Sequence, residues 1–154
     1  MKVYLETSFV SACVTNRTDS ASLYRRNESL EWWASERDKY ELLVSSEVLA
    51  ELDDPEFPLR SDAIAFIQGI PVLDVTEETI GLARVLIEEQ VMPRPLKGDA
   101  IHVAAATLVR AEYILSWNVR HLANPNKRVH LARICMRLGY VPPSIVTPEF
   151  LWET

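Results

Sequence analysis

The chain has 154 residues. At ~100–200 residues per domain that is one domain, expected over 1–154. Its apolar fraction of 48% and charged fraction of 25% exclude a disordered chain. Four glycines exclude a collagen-like or Gly-Ser-rich chain and leave no glycine-rich phosphate loop. A formal charge of −6 gives no general attraction for nucleic acid, since phosphate neutralisation needs clustered Lys and Arg. It leaves room for a nuclease whose carboxylates hold cations.

Cys13 and Cys135 form neither a disulfide framework nor a metal-ligand spacing, and read as two reduced thiols. No apolar run approaches the ~18 residues of a membrane helix. Glu6 interrupts any signal-peptide core. The expected location is the cytoplasm, with no membrane partner.

In chain order, Lys2-Val-Tyr-Leu-Glu6 reads as a strand of β-formers. Residues 20–38 carry a helical pattern through Leu23, Leu30 and Trp33. Glu41–Val44 is a second strand, and Ser45 or Ser46 caps a short helix over 46–52. Asp53-Asp54-Pro55 stops it, and Pro58 opens a helix over 59–68 that Gly69 ends. Ile70–Val75 is a third strand. Thr76 caps a helix over 77–90, without a full capping box because Thr79 lacks the long acceptor side chain. Pro93 and Pro95 mark a loop. A helix from Asp99 to Arg110 is apolar nearly all round and therefore buried. Tyr113–Ser116 is a fourth strand, 128–138 a last helix ended by Gly139, and Ser144–Val146 a final strand.

Strands alternating with helices predict an α/β fold: a parallel sheet covered on both faces. In such sheets ligands bind beyond the carboxyl ends of the strands. Glu6 ends the first strand, Asp74 the third, and Ser116, Trp117 and Asn118 the fourth. Glu47 and Glu51 follow the second strand, and Asp99 opens the buried helix. Each carboxylate also has a purely structural use, Asp99 as an N-cap and Glu47 and Glu51 as a wet helix face. Helix geometry separates the two glutamates. With Val48, Leu49 and Leu52 defining the core face, Glu51 lies roughly 105° and Glu47 roughly 145° from its centre. Glu51 is the candidate and Glu47 an auxiliary.

Four segments then carry a resemblance: Val3–Ser8, Ser46–Leu52, Lys97–Ala106 and Tyr113–Leu122. They resemble, in order, the four blocks of the PIN-domain ribonucleases, most closely the VapC-like toxins of bacterial and archaeal toxin–antitoxin pairs. The resemblance implies a three-layer α/β/α fold with about five parallel strands, and cleavage of single-stranded RNA with Mg²⁺ or Mn²⁺. It also implies an antitoxin protein as partner and a homodimer. Carried over by position, Glu6 stands where the family usually has its first Asp, Glu51 matches the family glutamate and Asp99 the third acidic residue. These three are the expected metal ligands. Asn118 stands where many members have a fourth Asp, and Ser8 matches a supporting hydroxyl. Three carboxylates suit a hard divalent cation, or with bound phosphate a pair. Two departures stand out: Glu6 is one methylene longer than Asp, and Asn118 adds no charge.

His102, three residues after Asp99, shares that side of the helix and reads as a satisfied histidine or a phosphate contact. His121 and His130 have no zinc-type spacing. Trp117 reads as packing or as a base-stacking surface. Trp32 and Trp33 divide between core and surface. Arg94, Lys97 and Arg120 could form a basic rim. Two other readings remain: a PIN-like module that binds RNA or protein with weak or no catalysis, and a receiver-like signalling domain built on Asp74.

Overall fold

The computed structural model describes residues 1–122 and 124–153. Five strands form one parallel sheet: β1 (Lys2–Leu5), β2 (Glu41–Ser45), β3 (Val72–Leu73), β4 (Tyr113–Leu115) and β5 (Ser144–Val146). Their order is β3-β2-β1-β4-β5, and Val3 pairs with Leu42 on one side and Tyr113 on the other. The helices are α1 (Thr7–Val14), α2 (Ser20–Glu36), α3 (Ser46–Leu52), α4 (Arg60–Phe66), α5 (Glu77–Glu88), α6 (Asp99–Leu108) and α7 (Pro125–Arg137). Right-handed crossovers put α1–α4 on one face and α5–α7 on the other, because the connection direction reverses after β3. This is the expected three-layer α/β/α arrangement with five parallel strands.

Val3, Tyr4 and Leu5 are all fully buried, as a central strand covered on both faces requires. Side chains alternate along the strand, so Val3 and Leu5 share one face while Tyr4 and Glu6 share the other. On one side of the sheet Phe9 meets Trp32 edge-on, with ring centroids 5.7 Å apart. Trp32 is fully buried and its indole N–H donates to the Leu151 carbonyl at 2.6 Å, while Trp33, expected at the surface if Trp32 is core, is half-buried and packs against Phe9 and Phe66. On the other side α6 is buried from Ala100 through Thr107, its run of alanines letting it lie close to the sheet.

Several local expectations change. Residues 7–14 form a helix that the sequence reading does not contain. The Glu6 side chain starts it by accepting from the Ser8 backbone N–H. The third strand shortens to two residues at the sheet edge. Thr76 and Thr79 do form a reciprocal capping box, each hydroxyl accepting the other's backbone N–H at 3.2–3.3 Å. A threonine hydroxyl is long enough to close it. Ser45 caps α3 with its backbone only, because its hydroxyl is engaged by Tyr4. α7 starts earlier than 128, at Pro125, where Asn124 caps it and the ring suits the first helical turn. Cys13 and Cys135 are both free and buried. Among the described residues, no helix is long and apolar enough to cross a membrane.

Candidate active site

The strand order places a topological switch point between β1 and β4, whose continuations part at their carboxyl ends. That is where ligands bind in open α/β sheets. Glu6 follows β1, Ser116-Trp117-Asn118 follow β4, α3 brings Glu51 from the far side of β1, and α6 starts there with Asp99.

Glu6 is buried, and its Oε2 accepts three hydrogen bonds: from the Ser8 N–H at 3.0 Å, from the Ser8 hydroxyl, and from the Ser116 hydroxyl at 2.8 Å. The Ser8 hydroxyl in turn accepts the Trp117 N–H at 2.8 Å, tying the ends of β1 and β4 together. The extra methylene of Glu6 is absorbed by this fold-back onto α1. Its Oε1 faces inward, 3.9 Å from His102 Nε2.

His102 is fully buried and its Nε2 also contacts Glu51 Oε1, so both glutamates converge on one imidazole nitrogen. They are therefore within the roughly 8 Å that one or two metal ions bridge. Glu51 Oε1 accepts from the Thr7 hydroxyl too, at 2.9 Å. Behind the ring, His102 Nδ1 and the Tyr4 hydroxyl are 2.6 Å apart, and that hydroxyl is 2.7 Å from Ser45 Oγ. Burial alone would lower the His102 pKa, but the bond to Glu51 and the Glu6 charge outweigh it and raise the net value. When the ring is protonated both its nitrogens donate: Nδ1–H to Tyr4, whose O–H then donates to Ser45. For Glu51, burial pushes the carboxyl up, but the bonds from His102 and Thr7 prevail and hold it below the ordinary carboxylate range. Burial likewise raises the Tyr4 phenol well above its usual value.

Asp99 is the first residue of α6, not its N-cap. That place belongs to Gly98, whose φ of +60° lies in the left-handed region glycine favours. The turn is pinned by Glu47, whose Oε1 accepts the Gly98 N–H at 3.0 Å. Asn118 Nδ2 donates to both Asp99 oxygens, at 3.2 and 3.3 Å, while its Oδ1 accepts the His121 N–H. Asn118 thus presents a donor to Asp99. Burial raises the Asp99 pKa and the Glu51 charge adds to this, while His102, His121 and Asn118 offset only part. Glu47, Glu51 and Asp99 line an open cleft of about 420 Å³ whose rim includes Arg94 and Lys97.

The donor chemistry fits a hard divalent cation: the candidate ligands are carboxylate oxygens, and at Asp99, whose pKa is raised chiefly by burial, a nearby positive charge would favour the ionised form. As the side chains stand, no group of three His, Cys, Asp or Glu among the described residues forms a closed ligand set, with Glu51 turned to His102. Glu6, Glu51, Asp99, Asn118 and Ser8 are all at this crevice. Thr7, Tyr4, the Ser116 bond to Glu6 and the pairing of His102 with the two glutamates are additions. The signals for them were the hydroxyls flanking Glu6 and the three-residue step from Asp99 to His102. Asp74 is exposed beyond the edge strand β3, two strands from β1, which removes the support for a receiver-like site. Trp117 is packed, its indole N–H donating to Ser29 at 2.8 Å. Arg120 and His121 are exposed.

The layers, strand order and switch-point crevice together define a PIN-like α/β/α protein. Solved structures of PIN-domain toxin–antitoxin proteins superpose on it. VapC20 of Mycobacterium tuberculosis, a toxin that cleaves the sarcin–ricin loop, matches with a TM-score of 0.60 and 19% identity over 79% of this chain and 93% of its own. VapBC2 from Rickettsia felis, solved on a DNA fragment from its promoter, matches at 0.55 and 16% over 99% and 100%. The FitAcB structure from Neisseria gonorrhoeae matches at 0.59 and 11% over 97% and 99%. No protein-family model matches the sequence, and neither does the sequence of a curated protein.

Proposed function

We propose that the chain is a metal-dependent endoribonuclease of single-stranded RNA and the toxin of a toxin–antitoxin pair. The observation that carries this reading is the convergence of Glu6 and Glu51 on His102 Nε2, beside Asp99 at the switch point. The PIN-like fold shared with toxins such as VapC20 supports it. An antitoxin protein as partner, a homodimer and a cytoplasmic location belong to the same reading.

Glu6, Glu51 and Asp99 would hold Mg²⁺ or Mn²⁺. The chemistry such a cation supplies is polarisation of a phosphoryl oxygen and a lowered pKa for water. The protein's own residues set the stage. Ser8 and Ser116 fix one oxygen of Glu6 and leave the other facing His102. Thr7 and His102 orient Glu51. Asn118 fixes the plane of the Asp99 carboxylate. Arg94 and Lys97 at the cleft rim draw the phosphate backbone toward a site of the same sign. No side chain is required as a covalent nucleophile.

The test is cleavage of mixed RNA by purified protein with Mn²⁺ or Mg²⁺, then with chelator. Cleavage should stop on chelation, and Asp99→Asn and Glu51→Gln should abolish it while melting remains cooperative. Full activity in either variant makes the site assignment wrong; cleavage indifferent to chelator removes the metal dependence. One observation favours a second reading, a PIN-like module with weak or no catalysis. Glu51 is already paired with His102, and Glu6 Oε2 already has three donors. Absence of metal binding with retained RNA or protein binding would select it.

A further inference from the structure

We propose that the cavity on the other side of Ser8 from the carboxylates is a subsite for one nucleotide of the RNA strand, its base held inside and its phosphate at the mouth. The proposal rests on the ribonuclease reading and deepens it. The cavity, about 500 Å³, lies between α1, the start of α2 and the 57–59 segment. That volume falls in the ~300–1,000 Å³ range of small-ligand pockets. Its walls are mostly apolar: Phe57, Leu59 and Trp117, with Phe57 and Leu59 only half-buried. An accessible aromatic ring suits any base, since every base has a π-face. Ser11 and Asn16 supply hydrogen-bonding groups of the kind that read base edges.

Charge decides the occupant. In a chain of net charge −6, this cavity carries two guanidinium groups, Arg17 and Arg25. Arg25 lies over the Trp117 ring, 5.7 Å from its centroid, and makes no ion pair among the described residues. Arg17 is exposed and shares its charge with Asp19 at 3.2 Å. An apolar slot with cations at its mouth complements a base with its phosphate. Ser8 connects the two places. It lines the cavity and donates to Glu6, so a nucleotide seated here lies next to the acidic centre. Occupancy of the slot by different bases would set where the strand is cut.

The experiment uses fluorescently labelled heptanucleotides of each base, bound to the Glu51→Gln protein and to the same protein carrying Arg25→Ala, Phe57→Ala or Ser11→Phe, which fills the slot. Phe57→Ala and Ser11→Phe should weaken binding about 5- to 100-fold, the range of one lost base–aromatic stack. Arg25→Ala should weaken all sequences alike and reduce the slope of log K against log salt by about 0.7, as for one lost phosphate contact on a single strand. That slope would not move if Arg25 only braced Trp117. In the otherwise native protein, Phe57→Ala should also change the bases found next to the cut. If RNA binds Glu51→Gln tightly and none of the three variants changes affinity or slope, the subsite is wrong and the ribonuclease reading stands. If RNA binds none of the proteins, both fall. If the variants keep RNA affinity but lose binding of a co-expressed protein, the cavity is a protein-docking site and the subsite is overturned.

Discussion

Tyr4→Phe isolates the hydrogen-bonded chain beneath the candidate site. The ring is fully buried and a phenylalanine keeps its packing, so the loss is confined to one hydroxyl. That hydroxyl serves two buried partners, His102 Nδ1 at 2.6 Å and Ser45 Oγ at 2.7 Å. Each buried polar group left without its partner costs ~1–3 kcal/mol, so the variant should lose roughly 2–5 kcal/mol. For a chain of this length each kcal/mol is worth about 2–4 °C, giving a fall in Tm of roughly 4–20 °C. Urea denaturation and calorimetry of metal-free protein read the two quantities. Ser45→Ala removes only the far link and should cost ~1 kcal/mol. A loss below ~0.5 kcal/mol for Tyr4→Phe, the range of an ordinary surface change, would refute the chain. Equal losses for the two variants would show that the His102 end contributes nothing.

Asp99→Asn should raise the Tm of chelator-treated protein, because the folded-state pKa of Asp99 lies above its ordinary value and its charge opposes folding at neutral pH. An unchanged or lower Tm refutes this. Asn118→Asp replaces a donor to Asp99 with a like charge, so it should lower the metal-free Tm and also lower the divalent-ion concentration needed for cleavage. Failure of metal titration to show tighter binding removes the account of Asn118 as a charge-poor substitution. Glu6→Asp keeps an N-cap for α1, since Asp is a good cap, but draws the carboxylate away from Ser116 and His102. It should shift metal preference toward Mg²⁺, and an unchanged preference refutes a role for the extra methylene. The Lys39 ammonium at 2.8 Å and the Glu153 N–H at 3.0 Å hold the Glu36 carboxyl below its ordinary value. Its contribution is complete above the unfolded-state pKa and vanishes as pH falls through the lower folded-state pKa. The stability gap between the native protein and Glu36→Gln should close over that acid window, and a gap constant with pH overturns the pairing.

The layer order was legible because its signals are strong ones: β-rich runs alternating with amphipathic segments, and a helix whose alanine-rich surface has no polar face. The rule that ligands sit beyond strand ends gathers the candidate carboxylates but admits Asp74 as well, and the choice of Glu6, Glu51 and Asp99 as a ligand set comes from the resemblance to the PIN-domain ribonucleases. What escaped was local competition. Helix α1 follows β1 without a turn residue, because Glu6 serves at once as strand end and helix cap; no Gly, Pro or Asn marks the change. The Thr76–Thr79 box escaped because the rule asks for a long acid where a hydroxyl suffices. His102 was read as either a satisfied histidine or a site residue. It is both, and only the three-dimensional meeting of β1, α3 and α6 shows that its partners are the site carboxylates themselves.

That meeting changes what the longer Glu6 implies. A glutamate at the first acidic position, taken alone, predicts an overlong ligand. Here one oxygen is folded back on Ser8 and Ser116, and the other faces the buried imidazole. The imidazole in turn holds Glu51, and against the burial that lowers its pKa the Glu51 bond and the Glu6 charge raise it, which favours a positive charge between two carboxylates. Buried carboxylates that crowd one another must protonate, separate or acquire a cation. This chain places an imidazole between them, on a helix buried from Ala100 through Thr107. The Asp99 carboxyl is pushed up chiefly by its burial, although the His102 charge works the other way. The imidazole contacts the two glutamates and offsets only part of the burial cost at Asp99. Positive charge added on the Asp99 side of the cleft, where Arg94 and Lys97 rim the opening, would favour the ionised form that burial disfavours. A phosphate-bearing strand and a divalent cation entering together would supply that charge without adding net negative charge to the carboxylates.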